Sequence, residues 1–184
     1  MKTLSPIFLL VISFLFVNCA KAQSTNVPSP TPAPPKAEKS SFEYMREGSE
    51  AFAAGRYQKA IGPFQKALDL EKQDRKLEKN LWFVLIDNLA MSYGISGDLK
   101  NSRATLEYGI SKEPEYPMFY YIMANTYGEE SDEAGAIKYL RSAFKYKANM
   151  LDGESLPDPM TDDSFRSLVK SETFRGAIAE MKKN

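Results

Sequence analysis

Few residues of this 184-residue chain have side chains suited to chemistry, and one type is missing altogether. There is no histidine, and the single cysteine is Cys19. Without an imidazole there is no His-based proton transfer, no serine–histidine triad, no Cys–His pair and no ordinary zinc site. No glycine-rich phosphate loop is present either. Carboxylates remain, and the densest group is Glu129-Glu130-Ser131-Asp132-Glu133. Its spacing matches no calcium loop, and acidic residues at an interhelical turn suit the start of the next helix. A solvated turn is the expectation there, with no metal and no cofactor. An enzyme working through carboxylates and tyrosines alone is the less favoured alternative, because no acid–base pair of recognisable spacing is present.

Cys19 ends an apolar run over residues 4–17 that follows Met1 and Lys2, the layout of an export signal. Its 14 residues are too few to span a bilayer core as a helix. The string Leu15-Phe16-Val17-Asn18-Cys19-Ala20 resembles a bacterial lipobox, which implies a signal peptide over 1–18 and a diacylated Cys19 as first mature residue. It departs from that pattern at Phe16 and Asn18. Ala20-Lys21-Ala22 offers a competing site for ordinary cleavage before Gln23. Both routes export the chain: one anchors it to a membrane by lipid, and the other releases it as a soluble periplasmic or secreted protein.

The stretch 19–41 carries Pro28, Pro30, Pro32, Pro34 and Pro35 among serines and threonines and reads as a tether with no fold of its own. No cysteine follows Cys19, so the fold that comes next must stand on packing without disulfides. Against 24 acidic residues the chain has 24 basic ones, and loss of Lys2 with the signal leaves a net charge of −1. That balance argues against a nucleic-acid partner, which would call for a basic surface.

The elements that position the remaining side chains come from a repeat. From residue 42 onward proline and glycine thin out and apolar residues recur at helical spacing. A segment over 41–74 has small residues at its eighth, twentieth and twenty-seventh positions, Gly48, Ala60 and Ala67. Segments over 83–116 and 117–150 repeat this with Ala90, Ser102 and Gly109, then Ala124, Ala136 and Ala143. Gly55 and Gly97 fall at the turns, while Ser131 stands at the third. Three phased copies resemble the 34-residue tetratricopeptide repeat. The resemblance implies an all-α fold of three helical hairpins stacked as a short solenoid, over about 42–150, closed by a C-terminal helical cap over 151–184. Phe165, Leu168, Phe174 and Ile178 are the candidates to cover the last apolar face. Gly62-Pro63 should kink the second helix or delay its start. The eight extra residues 75–82 are expected to lengthen the adjoining helices by about two turns.

In the tetratricopeptide family, the first helix of each hairpin lines a concave groove. Carried over by position, the resemblance implies a partner-binding surface of Met45, Ser49, Phe52, Asp87, Asn88, Met91, Tyr121 and Asn125. Methionines and aromatics adapt to varied partners, and the amides could hold a peptide backbone. The lysine-and-asparagine clamp that some members use on terminal carboxylates is absent, since Met45, Met118 and Ile122 occupy its places. The competing expectation is that Met45, Met91 and Tyr121 pack against the tail. The expected function is a non-catalytic scaffold or adaptor that binds a protein or peptide in the bacterial envelope. An assembly factor for an envelope machine, pilotin-like or for outer-membrane insertion, is the alternative.

Overall fold

The computed structural model describes residues 38–183. The signal segment, Cys19 and nearly all of the tether lie outside the described residues. Seven helices follow in order: α1 (Ser41–Ala53), α2 (Tyr57–Gln73), α3 (Lys79–Ile95), α4 (Leu99–Lys112), α5 (Pro117–Glu129), α6 (Glu133–Lys145) and α7 (Glu172–Met181). They pair as hairpins α1–α2, α3–α4 and α5–α6, each packed on the next, and α7 closes the stack against α6. Among the described residues there is no strand, so the all-α repeat architecture holds.

Local chemistry sets the helix ends. At Ser40 a capping box starts α1: its hydroxyl accepts from the Glu43 amide, and the Glu43 carboxylate accepts from the Ser40 amide. Asp98 and Asp132 cap α4 and α6 through the side chain alone, accepting from the amides of Asn101 and Gly135, and Pro117 opens α5, where its missing N–H costs nothing.

One device makes all three hairpin turns. Gly55, Gly97 and Ser131 take left-handed backbone, with φ of 69°, 86° and 59°. The following amide then donates to the carbonyl five residues earlier, Arg56 to Ala51, Asp98 to Tyr93 and Asp132 to Tyr127, each at 2.9 Å. Ser131 adopts the turn conformation in spite of its Cβ.

The small residues of the repeat are where helices meet. A Cβ at Gly48 would fall 2.5 Å from the Phe64 ring, and one at Gly109 would fall 3.0 Å from both Ile86 and Phe119. Ala60, Ala90, Ala124, Ala136 and Ala143 are all fully buried. Between the second and third hairpins the Phe83 ring stacks on Tyr116 at 3.9 Å, with Phe119 edge-on to both. Arg103 of α4 bridges to α5, donating to the Thr126 hydroxyl and carbonyl and to Glu130 while lying over the Tyr127 ring.

One local expectation needs correction. Helix α2 begins at Tyr57 and runs on through Pro63, so the proline does not delay its start. Gly62 explains part of this, because it lacks the Cβ that would clash with the proline ring in a helical conformation. The extra residues between the first two repeats go with longer helices on both sides: α2 and α3 each run 17 residues, against 13 or 14 in the other hairpin helices, and residues 74–78 form the loop between them. The loop is organised by Glu71, 3% exposed, whose carboxylate accepts from the amides of Lys76 and Leu77 at 3.0 Å and from the Ser41 hydroxyl at 2.5 Å. A buried acceptor with three donors holds the chain in a turn where a longer helix would have left it unpaired.

The cap forms around Phe165, Leu168, Phe174 and Ile178, all buried in one apolar cluster with Tyr121, Leu140 and Ala143. Phe174 and Ile178 stand on α7, whereas Phe165 and Leu168 sit in single turns of tighter 3-10 helix.

Candidate binding groove

The site begins with α3 and α5, the first helices of the second and third hairpins. They lie side by side, and the inner face of α3 brings Asp87, Asn88 and Met91 into line while α5 adds Met118, Ile122 and Asn125. The opposite wall comes from the irregular segment between α6 and α7. Met150, Glu154 and Ser155 face Asp87 and Asn88 across a cavity of about 390 Å³. Asp162 and Ser164 face Ile122 and Asn125 across a second cavity of about 440 Å³. Met91 borders both, so the two form successive stations of one groove. A larger cavity of about 600 Å³ opens on the far side of Met150. Its one lining cation among the described residues, Lys79, already pairs with Glu113 at 2.9 Å, and Arg75 pairs with the same carboxylate at 3.2 Å.

Asp162 fixes the wall. One carboxylate oxygen accepts from the Ser164 amide at 2.9 Å and caps the turn that follows, while the other accepts from the Tyr121 hydroxyl at 2.9 Å. The Asn125 amide reaches the same oxygen at 3.5 Å. Gly128 lets the wall close on α5, because a Cβ there would lie 2.4 Å from the Ser164 carbonyl oxygen. Burial, then the charge and hydrogen bond of Asp162, push the Tyr121 phenol well above its ordinary range.

Asp87 forms the floor of the first cavity and is 9% exposed. Its Oδ2 accepts from the Tyr116 hydroxyl at 3.0 Å, but its Oδ1 has no hydrogen-bond partner. Burial raises the Asp87 carboxyl well above the usual carboxylate range, the Tyr116 hydrogen bond opposes that rise, and the negative charge of Glu154 adds to it. The Tyr116 phenol is pushed up in turn, first by burial and then by Asp87.

The structure thus gathers Asp87, Asn88, Met91 and Asn125 at one groove. Tyr121 lies beneath it, sealed by Phe165 and Asp162. Met45, Ser49 and Phe52 stand on α1 and line neither cavity: Met45 is 6% exposed in the core, and Phe52 turns its ring edge-on to Tyr57 and Phe64 of α2. Residues the repeat pattern does not supply are Glu154 and Asp162, which belong to the wall. Asp162-Asp163-Ser164 carries the signal of an aspartate turn cap, though nothing local says which helix that turn faces. Among the described residues no three His, Cys, Asp or Glu side chains converge as a metal site, and no helix is long and apolar enough to cross a membrane.

No family model matches the chain, and no curated protein matches it. Solved structures do. PcrH from Pseudomonas aeruginosa superposes with a TM-score of 0.52 at 15% identity, covering 77% of this chain and 91% of that one. The Sgt2 TPR domain from Aspergillus fumigatus gives 0.52 at 19% identity, covering 78% and 82%. The chain has a tetratricopeptide-like fold, a helical-repeat solenoid of three hairpins with a C-terminal cap.

Proposed function

We propose that this chain is a non-catalytic protein-binding scaffold or adaptor. A segment of the partner lies along the inner faces of α3 and α5, against the wall formed by residues 150–164. The observation that carries this reading is the pair of cavities joined at Met91, with the half-buried amides of Asn88 and Asn125 beside them. Together these cavities offer apolar pockets for side chains and polar groups for a backbone, the combination that peptide-binding grooves use. A photo-crosslinking amino acid placed at position 88 or 91 of the full chain, in the producing cell, should yield discrete adducts. One at exposed Lys138 should not. Adducts from position 138 with none from 88 and 91 would move the binding surface elsewhere.

The same proposal holds the module at a membrane through a lipidated Cys19, with the proline-rich stretch as spacer; the support is the lone cysteine closing an apolar run. Cys19→Ser should then abolish detergent-phase partitioning of the mature protein. A wild type that is already soluble and begins at Gln23 would make it a freely diffusing exported protein.

A further inference from the structure

We propose that the first station of the groove is a pocket for a basic side chain, so that the partner segment carries a lysine or arginine that enters between Asp87 and Glu154. This rests on the groove reading above and adds the chemistry of what the groove selects.

The fold leaves the Asp87 carboxyl without full compensation. Asp87 is more than nine-tenths buried and has one oxygen with no partner, a state that costs stability unless something supplies a donor. The other titratable groups that face it are Tyr116, whose hydroxyl serves the other oxygen, and Glu154, a second negative charge on the opposite wall. No lysine or arginine lines the cavity among the described residues, and neither acid takes part in an ion pair there. The other walls are Val84, Met91, Met118 and Met150, apolar and adaptable. Long cationic side chains bury an aliphatic stem and keep a charged head, so stem against methionines and head between two carboxylates is the complementary fit. The cavity, about 390 Å³, lies towards the small end of the roughly 300–1,000 Å³ common for ligand pockets, a size for one side chain rather than a folded surface.

Protons give the pocket a signature that a structural carboxyl would lack. A cation favours the ionised form of Asp87 while burial favours the protonated one, so affinity should rise with pH across the range in which Asp87 of the free protein titrates. The test uses the full chain and a displayed library of random dodecapeptides. Peptides should be enriched that carry one lysine or arginine beside an apolar residue and that are lost on Met91→Arg. Asp87→Asn, which keeps an acceptor for Tyr116, and Glu154→Gln, on an exposed residue, should each weaken such a peptide by about tenfold or more. Replacing the peptide's basic residue by norleucine should cause the same loss, no larger in Asp87→Asn. The rise of affinity with pH should vanish in that variant. Enriched peptides that need Met91 but carry no basic residue, or that bind Asp87→Asn as tightly as wild type, would overturn the pocket and leave the groove standing. Peptides indifferent to Met91→Arg, or no enrichment at all, would overturn both.

Discussion

Gly128→Ala asks whether the wall is docked on the repeats. Gly128 is a helical residue of α5, where alanine is intrinsically better than glycine by about 1 kcal/mol. Its added methyl would lie 2.4 Å from the Ser164 carbonyl oxygen and 2.7 Å from the Phe165 ring. Neither neighbour yields cheaply: the oxygen is main chain next to the Asp162 cap, and Phe165 is fully buried. Overpacking costs about 1–3 kcal/mol, and a clash with backbone belongs at the upper end, so the net effect is a destabilisation of about 1–2 kcal/mol after the gain in propensity. Gly176→Ala is the control, since Gly176 is helical and exposed on α7, with open space around its would-be Cβ. Propensity acts alone there, for a stabilisation of up to about 1 kcal/mol. In urea unfolding followed by circular dichroism, the two midpoints should move in opposite directions at unchanged slope. Amides over 162–170 should also exchange faster in Gly128→Ala. Two midpoints that both rise would mean that Ser164 and Phe165 do not rest on α5 in solution, and the groove would lose one side.

Three further outcomes are expected. Glu71→Ala removes the acceptor of three donors, one of them the buried Leu77 amide, and should cost about 2–3 kcal/mol in denaturant unfolding. Ser131→Gly relieves a side chain in left-handed backbone and should stabilise by about 0.5–1 kcal/mol, seen as a rise of a few degrees in the thermal midpoint. Asp87 has a folded pKa raised above the unfolded value of about 3.9, so its contribution to stability is complete below that pH and is lost as pH rises towards the folded value. Asp87→Asn should therefore unfold at higher urea than wild type at pH 7, with the two midpoints converging near pH 4. A variant less stable than wild type at pH 7 would mean that the carboxylate is compensated after all.

The repeats were legible in the sequence because they depend on residues acting over short range. Gly48, Ala90 and Ala124 mark helix contacts by size alone, and Gly55 and Gly97 mark turns by the backbone they permit. The third turn was legible only by phase, since Ser131 occupies it against its own preference. What could not be read depends on where distant segments meet. The helices on both sides of residues 75–82 are lengthened as their composition suggests, but the place of the loop between them is set by Glu71, and nothing local reveals that Glu71 is buried. Tyr121 sits at a groove position of the pattern but lies under Phe165 and Asp162, more than 40 residues later. Asp87 was placed by the repeat register, whereas Glu154 opposite it follows from the path of an irregular segment that no periodicity describes. Phe52 shows the reverse limit: register assigns it to the groove, and the aromatic pair Tyr57 and Phe64 draws it into its own hairpin.

The split of the groove between α3 and the segment before α7 sets an order in time. Synthesis delivers Asp87 first, and its helix can settle on neighbours already made. The wall follows after some 60 further residues, and its hold on Tyr121 through Asp162 comes later still. A nascent chain therefore has Asp87 in place with nothing opposite it, and the groove closes only once residues 150–164 have docked on the third hairpin. If the groove binds as proposed, competence to hold a partner doubles as a report that the chain has folded through to its C-terminal segment.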